Sequence, residues 1–97
     1  MYNIQFSENA LIDLESFRKF DQKIILAGIE QNLNHQPSTQ TKNRKPLRPN
    51  DLAKWELRIE HNRIFYDILE EEKSVDVVAI GWKKHQKLFI RGEEVKL

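Results

Sequence analysis

The chain contains no cysteine. Disulfides, thiol nucleophiles and cysteine-based zinc sites are excluded together, and a reducing, cytoplasmic compartment is the natural expectation. Glycine is scarce as well: Gly28, Gly81 and Gly92 stand singly. No glycine-rich loop can therefore cradle a nucleotide's phosphates, which argues against a nucleotide-hydrolysing enzyme and leaves no bound cofactor to expect. No apolar run approaches the ~20 residues of a membrane span. The first seven residues have neither the cationic nor the apolar region of a secretory leader, so a soluble chain with no membrane partner is expected. His35 and His61 are distant in sequence, and no His/Asp/Glu spacing suggests a metal site.

A charge excess is lacking too. Sixteen Lys and Arg offset 15 Asp and Glu, for a formal net charge of +1. Any hold on nucleic acid must come from an uneven distribution of those charges. Residues 35–50 supply one: they hold Lys42, Arg44, Lys45 and Arg48, no acid, and all three prolines, Pro37, Pro46 and Pro49. An exposed basic loop over residues 36–50 is expected. It reads either as a solvated connector or as a phosphate-gripping arm whose charges act jointly within a Debye length of about 8 Å.

What is present is patterned. With 97 residues and no Gly- or Ser-rich linker, one domain over residues 1–97 is expected. Tyr2, Ile4 and Phe6 alternate with polar residues, predicting a short edge strand. Ser7 is placed as an N-cap with Glu8 in the first turn, and Ala10, Leu11, Leu14 and Phe17 recur at helical spacing. Asp21 reads as a second N-cap, followed by Ile25, Leu26, Ile29 and Leu33, so two helices joined near Phe20 form a hairpin against the sheet. Gly28, inside the second helix, suggests a close helix–helix or helix–sheet approach.

Residues 54–60 alternate, with Trp55, Leu57 and Ile59 on one face and charge on the other. His61 and Asn62 suit a turn, and residues 63–69 are rich in aromatic and β-branched side chains, predicting an antiparallel partner. Residues 74–81 form a third strand apolar enough to be central, running into Trp82, Lys83, Lys84 and His85. Gly92 is placed for a tight turn closing a small terminal hairpin. The predicted class is α+β: an edge strand, a two-helix hairpin on a mainly antiparallel twisted sheet, and a short C-terminal hairpin. Trp55, Phe65 and Tyr66 are assigned to the core, and Trp82 to packing at a strand end.

Two stretches, PLRPNDLAKWELRIEHNRIFYDI over residues 46–68 and VVAIGWKKHQKLFIRGEEV over residues 77–95, fall in an order of elements that resembles the RelE/ParE toxin superfamily of bacterial type II toxin–antitoxin systems, on the RelE and HigB side. The resemblance spans essentially the whole chain and is specific as an ordered set rather than motif by motif. It implies a toxin held silent by a cognate antitoxin. On the RelE side it implies a ribosome-dependent, metal-independent messenger RNA endonuclease; on the ParE side, an inhibitor of DNA gyrase. A third alternative is an inactive relative kept as an antitoxin-binding module.

Cleaving RNA without a metal requires the 2′-OH to lose a proton as it attacks phosphorus, the 5′-oxygen to gain one, and cations to neutralise the phosphate between them. By resemblance Arg63 matches the arginine of the family's Y-R-(I/L)-(F/V)-Y strand, its fork matching two phosphate oxygens; the plainer alternative is an exposed strand charge paired with Asp67 or Glu60. Lys83 stands where relatives carry a cation at the scissile phosphate, with Lys84 beside it. His85 is assigned proton transfer, since imidazole is the side-chain type suited to exchanging protons at neutral pH. Arg44, Lys45 and Arg48 are assigned to RNA phosphates. Phe89 occupies a position where many relatives have tyrosine, so it can stack on a base but brings no hydroxyl.

Overall fold

A computed structural model describes residues 1–97. Alternating apolar residues draw strands into a sheet of seven, and its apolar face recruits the helices. The elements in order are β1 (Asn3–Phe6), α1 (Glu8–Glu15), α2 (Lys19–Leu33), β2 (Arg44–Pro46), β3 (Trp55–Ile59), β4 (Asn62–Leu69), a 3₁₀ turn (Glu70–Glu72), β5 (Ser74–Lys84), β6 (Lys87–Ile90) and β7 (Glu93–Val95). The strands lie in the order β2-β3-β4-β5-β6-β7, each antiparallel to its neighbour, and β1 runs parallel along the first half of β5. The α+β expectation is met: two helices cover one face of a mostly antiparallel sheet.

Each helix makes its main contacts with the sheet, α1 over β5 and α2 over β3. Ala10, Leu14, Ile25, Ile29 and Leu33 meet Leu57, Ile64, Tyr66, Val75, Val77 and Ile80 in the larger core. Leu11 and Leu26, which the periodicity placed on the same stripes, are 45% and 41% exposed. At Gly28 a Cβ would lie 2.3 Å from Ile59 Cδ1, so the glycine marks a close helix–sheet approach. The opposite face carries a smaller core of Ala53, Phe65, Ala79, Leu88 and Ile90. A bulge at Val78 shifts the β4–β5 register between Phe65 and Tyr66. That extra residue turns Ile80 to the helix side with Val75 and Val77, where strict alternation would have sent it the other way.

Several boundaries differ from the sequence reading. Arg18, not Asp21, is the N-cap of α2, and Asp21 sits in the first turn, 3.3 Å from the Arg18 guanidinium. The turn between β3 and β4 is Glu60 and His61, with Glu60 at φ +57°; Asn62 is already paired with Ile59 and is buried. β5 does not stop at Gly81 but continues to Lys84, because β6 pairs with Trp82, Lys83 and Lys84. The basic segment is not wholly an exposed loop: it contains β2, and Pro37 is buried beneath Tyr66, whose hydroxyl donates to the Pro37 carbonyl at 2.8 Å.

The edge of β5 is open between the end of β1 and the start of β6, and α1 fills the gap. Ser7 caps α1 by accepting from the Ala10 N–H at 3.1 Å, and donates its hydroxyl to the Val78 carbonyl at 3.1 Å. Buried Asp13 accepts from the Ile80 N–H at 3.0 Å and from Arg91 at 2.7 Å. A helix side chain thus satisfies a strand N–H that no neighbouring strand reaches.

Burial raises the Tyr66 phenol above its ordinary value, an effect that Arg44 opposes. Between the two values the unfolded chain has released a proton that the folded chain retains, so this stabilisation is complete below about pH 10 and falls as pH rises further. Tyr66→Phe is expected to flatten the alkaline loss of stability while costing about 1 kcal/mol at neutral pH. Denaturant titrations over the alkaline range check this; an alkaline slope identical in both proteins would discount Tyr66.

Candidate nucleic-acid interface

The face of the sheet turned away from the helices is built by the residues that alternate with the larger core. Glu56 and Arg58 of β3, Arg63 and Phe65 of β4, and Lys83 of β5 point to this side, and Lys45 of β2 stands opposite Glu56. Of these, Lys45, Glu56 and Lys83, together with the Leu47–Arg48 segment, β6 and β7, enclose a groove of about 490 Å³. Lys45, Arg48, Lys83, Lys87 and Lys96 line it, against two carboxylates, Glu56 and Glu94. Cations outnumber acids in this cleft, and such a lining focuses a positive field of the kind that attracts anions.

The charged centre of the floor is a chain of three groups. Glu56 Oε2 lies 3.8 Å from Lys45 Nζ and 4.0 Å from Arg63 Nε, and both Glu56 and Arg63 are more than nine-tenths buried. At these separations neither contact is a hydrogen bond. Arg63 is otherwise anchored by donating to the carbonyls of Glu60 and Asn62, each at 2.9 Å, while its Nε finds no acceptor. Burial lowers the Arg63 pKa from its ordinary value; Glu56 counteracts that and Arg58 adds to it. An arginine so placed still carries its charge at any physiological pH.

The predicted site residues divide between the two faces. Lys45, Arg48 and Lys83 meet at the groove, and Arg63 lies behind Glu56 rather than on the lining. Arg63 is buried and not an exposed strand charge, and its carboxylate neighbour is Glu56 instead of Asp67 or Glu60. Arg44 is turned to the helix side, where its guanidinium donates to the Asn32 carbonyl in the last turn of α2. A cation at the negative end of a helix dipole is a structural clamp, which removes Arg44 from the groove.

Phe89 also lies on the helix side, stacked on Trp82 with ring centroids 6.0 Å apart at 19°, and Phe17 meets Trp82 edge-on at 6.0 Å. The Trp82↔Phe89 pairing puts both rings on the face opposite Lys83. Lys84 and His85 are exposed and outside the groove lining: Lys84 ends β5, and His85 and Gln86, at φ +53° and +66°, form the two-residue turn into β6. Glu56, Lys87 and Lys96 were not singled out from the sequence. The one available signal for Glu56 was its place between two cations in the polar alternation Lys54, Glu56, Arg58, Glu60.

The architecture is thus two helices on one side of a mostly antiparallel sheet and a groove lined mainly by cations on the other. The family model described as ParE toxin of the type II toxin–antitoxin system, parDE, matches residues 4–86. The chain belongs to this family, within the RelE/ParE toxin superfamily. Among curated proteins no sequence matches.

Solved structures share the fold. The RelBE2 toxin–antitoxin complex from Mycobacterium tuberculosis matches with a TM-score of 0.73 at 21% identity, over 84% of this chain and 98% of that one. The archaeal RelE–RelB complex from Pyrococcus horikoshii OT3 gives 0.68 at 15% identity, over 87% and 97%. The isolated RelE toxin of E. coli gives 0.67 at 17% identity, over 88% and 87%.

Proposed function

We propose that this toxin is a ribosome-dependent endoribonuclease that cleaves messenger RNA and so halts translation, working in the cytoplasm and held silent by a cognate antitoxin. The observation that carries this reading is the convergence of Lys45, Arg48 and Lys83 on one groove, with the buried Arg63 behind it. In the reaction Lys45 and Arg48 hold flanking phosphates and Lys83 faces the scissile one. Arg63 acts as a positioning residue, setting the field at the floor through Glu56. The ribosome supplies the messenger in an extended single strand, which a cleft open along a sheet can receive. His85, on the exposed hairpin turn, is left as a contact to the ribosome or to flanking RNA, and Lys84 with it.

Induced expression without antitoxin should stop protein synthesis and leave transcripts cut within codons. A second reading is favoured by one observation, the match to the ParE model: a gyrase inhibitor that uses the same cationic face for a different target. Intact transcripts together with accumulated double-strand breaks in DNA would establish that reading in place of the first.

Ionic strength gives an independent check. Three phosphate contacts through Lys45, Arg48 and Lys83 predict that the logarithm of RNA affinity falls with the logarithm of salt with a slope of about −2. Lys45→Ala should make the slope shallower by roughly 0.7. A slope near zero, read by fluorescence anisotropy with a single-stranded RNA, would remove the groove from RNA binding.

A further inference from the structure

Metal-free RNA cleavage needs a group beside the scissile phosphate that is free to accept a proton, and the groove is poor in such groups. Lysine and arginine are donors that bring no acceptor, His85 is outside the lining, and Phe89 is on the other face. Two carboxylates remain. Glu94 is exposed on β7, at the margin, whereas Glu56 is fixed in the floor by the β2–β3 and β3–β4 ladders, directly opposite Lys45 and within reach of Arg63.

We propose that Glu56 is the general base of the cleavage reaction. The inference rests on the endonuclease reading above and adds the residue that reading lacks. Glu56 takes the proton of the 2′-OH, and the 2′-oxygen attacks phosphorus to form a 2′,3′-cyclic phosphate. The P–O5′ bond breaks, and the departing 5′-oxygen takes a proton from the Lys83 ammonium. Glu56 then returns its proton to water and Lys83 regains one, so the toxin emerges unchanged.

The surroundings suit the task. Glu56 lacks the short, hydrogen-bonded ion pair that would tie up its lone pairs, since both cations stand beyond hydrogen-bond distance. Lys45 from β2 and Arg63 from β4 stand 3.8 and 4.0 Å from it, Arg58 lies two residues along β3 on the same face, and Lys83, Arg48 and Glu94 share the groove lining. The groove cations are placed to face a phosphate that enters beside the carboxylate.

The test uses the full chain with translating ribosomes carrying a defined messenger, comparing wild type, Glu56→Gln and Glu56→Asp in single-turnover cleavage across the acid and neutral range. Glu56→Gln removes the base while keeping its shape. Cleavage should fall about 10²–10⁴-fold, the acid limb of the pH–rate profile should vanish, and RNA binding should hold or tighten because one negative charge leaves the groove. Glu56→Asp, which keeps a carboxylate but withdraws it, should retain the limb at a reduced rate. Should Glu56→Gln fail to fold, Glu56→Asp decides alone.

A folded Glu56→Gln near the wild-type rate with its acid limb intact overturns the proposal and leaves the endonuclease reading standing. So does a folded Glu56→Asp as fast as wild type. Wild-type protein that leaves the messenger whole at every pH overturns both. A merely structural Glu56 would shift melting temperature without removing the limb.

Discussion

Lys83→Ala should lower messenger RNA cleavage by about 10²–10³-fold, the loss typical of removing one group that stabilises charge developing in the transition state. Lys83 is half-buried in the groove, takes part in no ion pair, and is held by β5, where its own N–H donates to the His61 carbonyl at 2.8 Å. That backbone bond survives the substitution, so stability should stay within about 0.5 kcal/mol of wild type. Growth arrest on induction should weaken with cleavage. A folded Lys83→Ala protein that arrests growth like wild type would show that this cation takes no part in toxicity.

Asp13→Ala should destabilise the fold by about 2–4 kcal/mol, since it strands the buried Ile80 N–H and deprives α1 of its tie to the open edge of β5. The Asp13 side chain is 1% exposed, and both its oxygens are occupied, by Ile80 and by Arg91. Arg91→Ala leaves the same carboxylate buried without its cation and should be at least as damaging, whereas the freed arginine in Asp13→Ala can turn to water. Asp13→Asn should fall between, keeping the acceptor for Ile80 but presenting Arg91 with a neutral partner. Chemical denaturation measures the series. If Asp13→Ala unfolds within 0.5 kcal/mol of wild type, about the scatter of ordinary surface changes, the helix–strand bond contributes little.

Much of the fold was legible because it follows from short-range regularities. Alternation gave away β3 and β4, the 3.6-residue spacing revealed both helices, Ser7 announced the start of α1, and Gly92 marked the last hairpin. Boundaries were less legible where a distant partner decides. β5 runs past Gly81 only because β6 returns to pair with it, and β2 forms within a proline-bearing segment only because β3 offers a free edge. Nothing local in α1 sets Asp13 apart from other helical acids; its partners are 67 and 78 residues away in sequence.

The candidate site shows the same division. Arg44 and Lys45 are neighbours of like charge, yet one clamps a helix end and the other enters the groove, because adjacent residues of a strand face opposite ways. Phe89 and Lys83 are separated by the same parity across the β5–β6 hairpin, and Glu56 becomes significant only when β2 and β4 set Lys45 and Arg63 on either side of it.

By itself the sequence determined the types of element, the absence of thiol and phosphate-loop chemistry, and the stock of cations, because each depends on residue identity and near-neighbour periodicity. Which cations share a cleft, which carboxylate stands among them and which aromatic is turned away were decided by the tertiary structure alone. Strand register and the Val78 bulge assign each side chain to a face, and a displacement of one residue reverses that assignment.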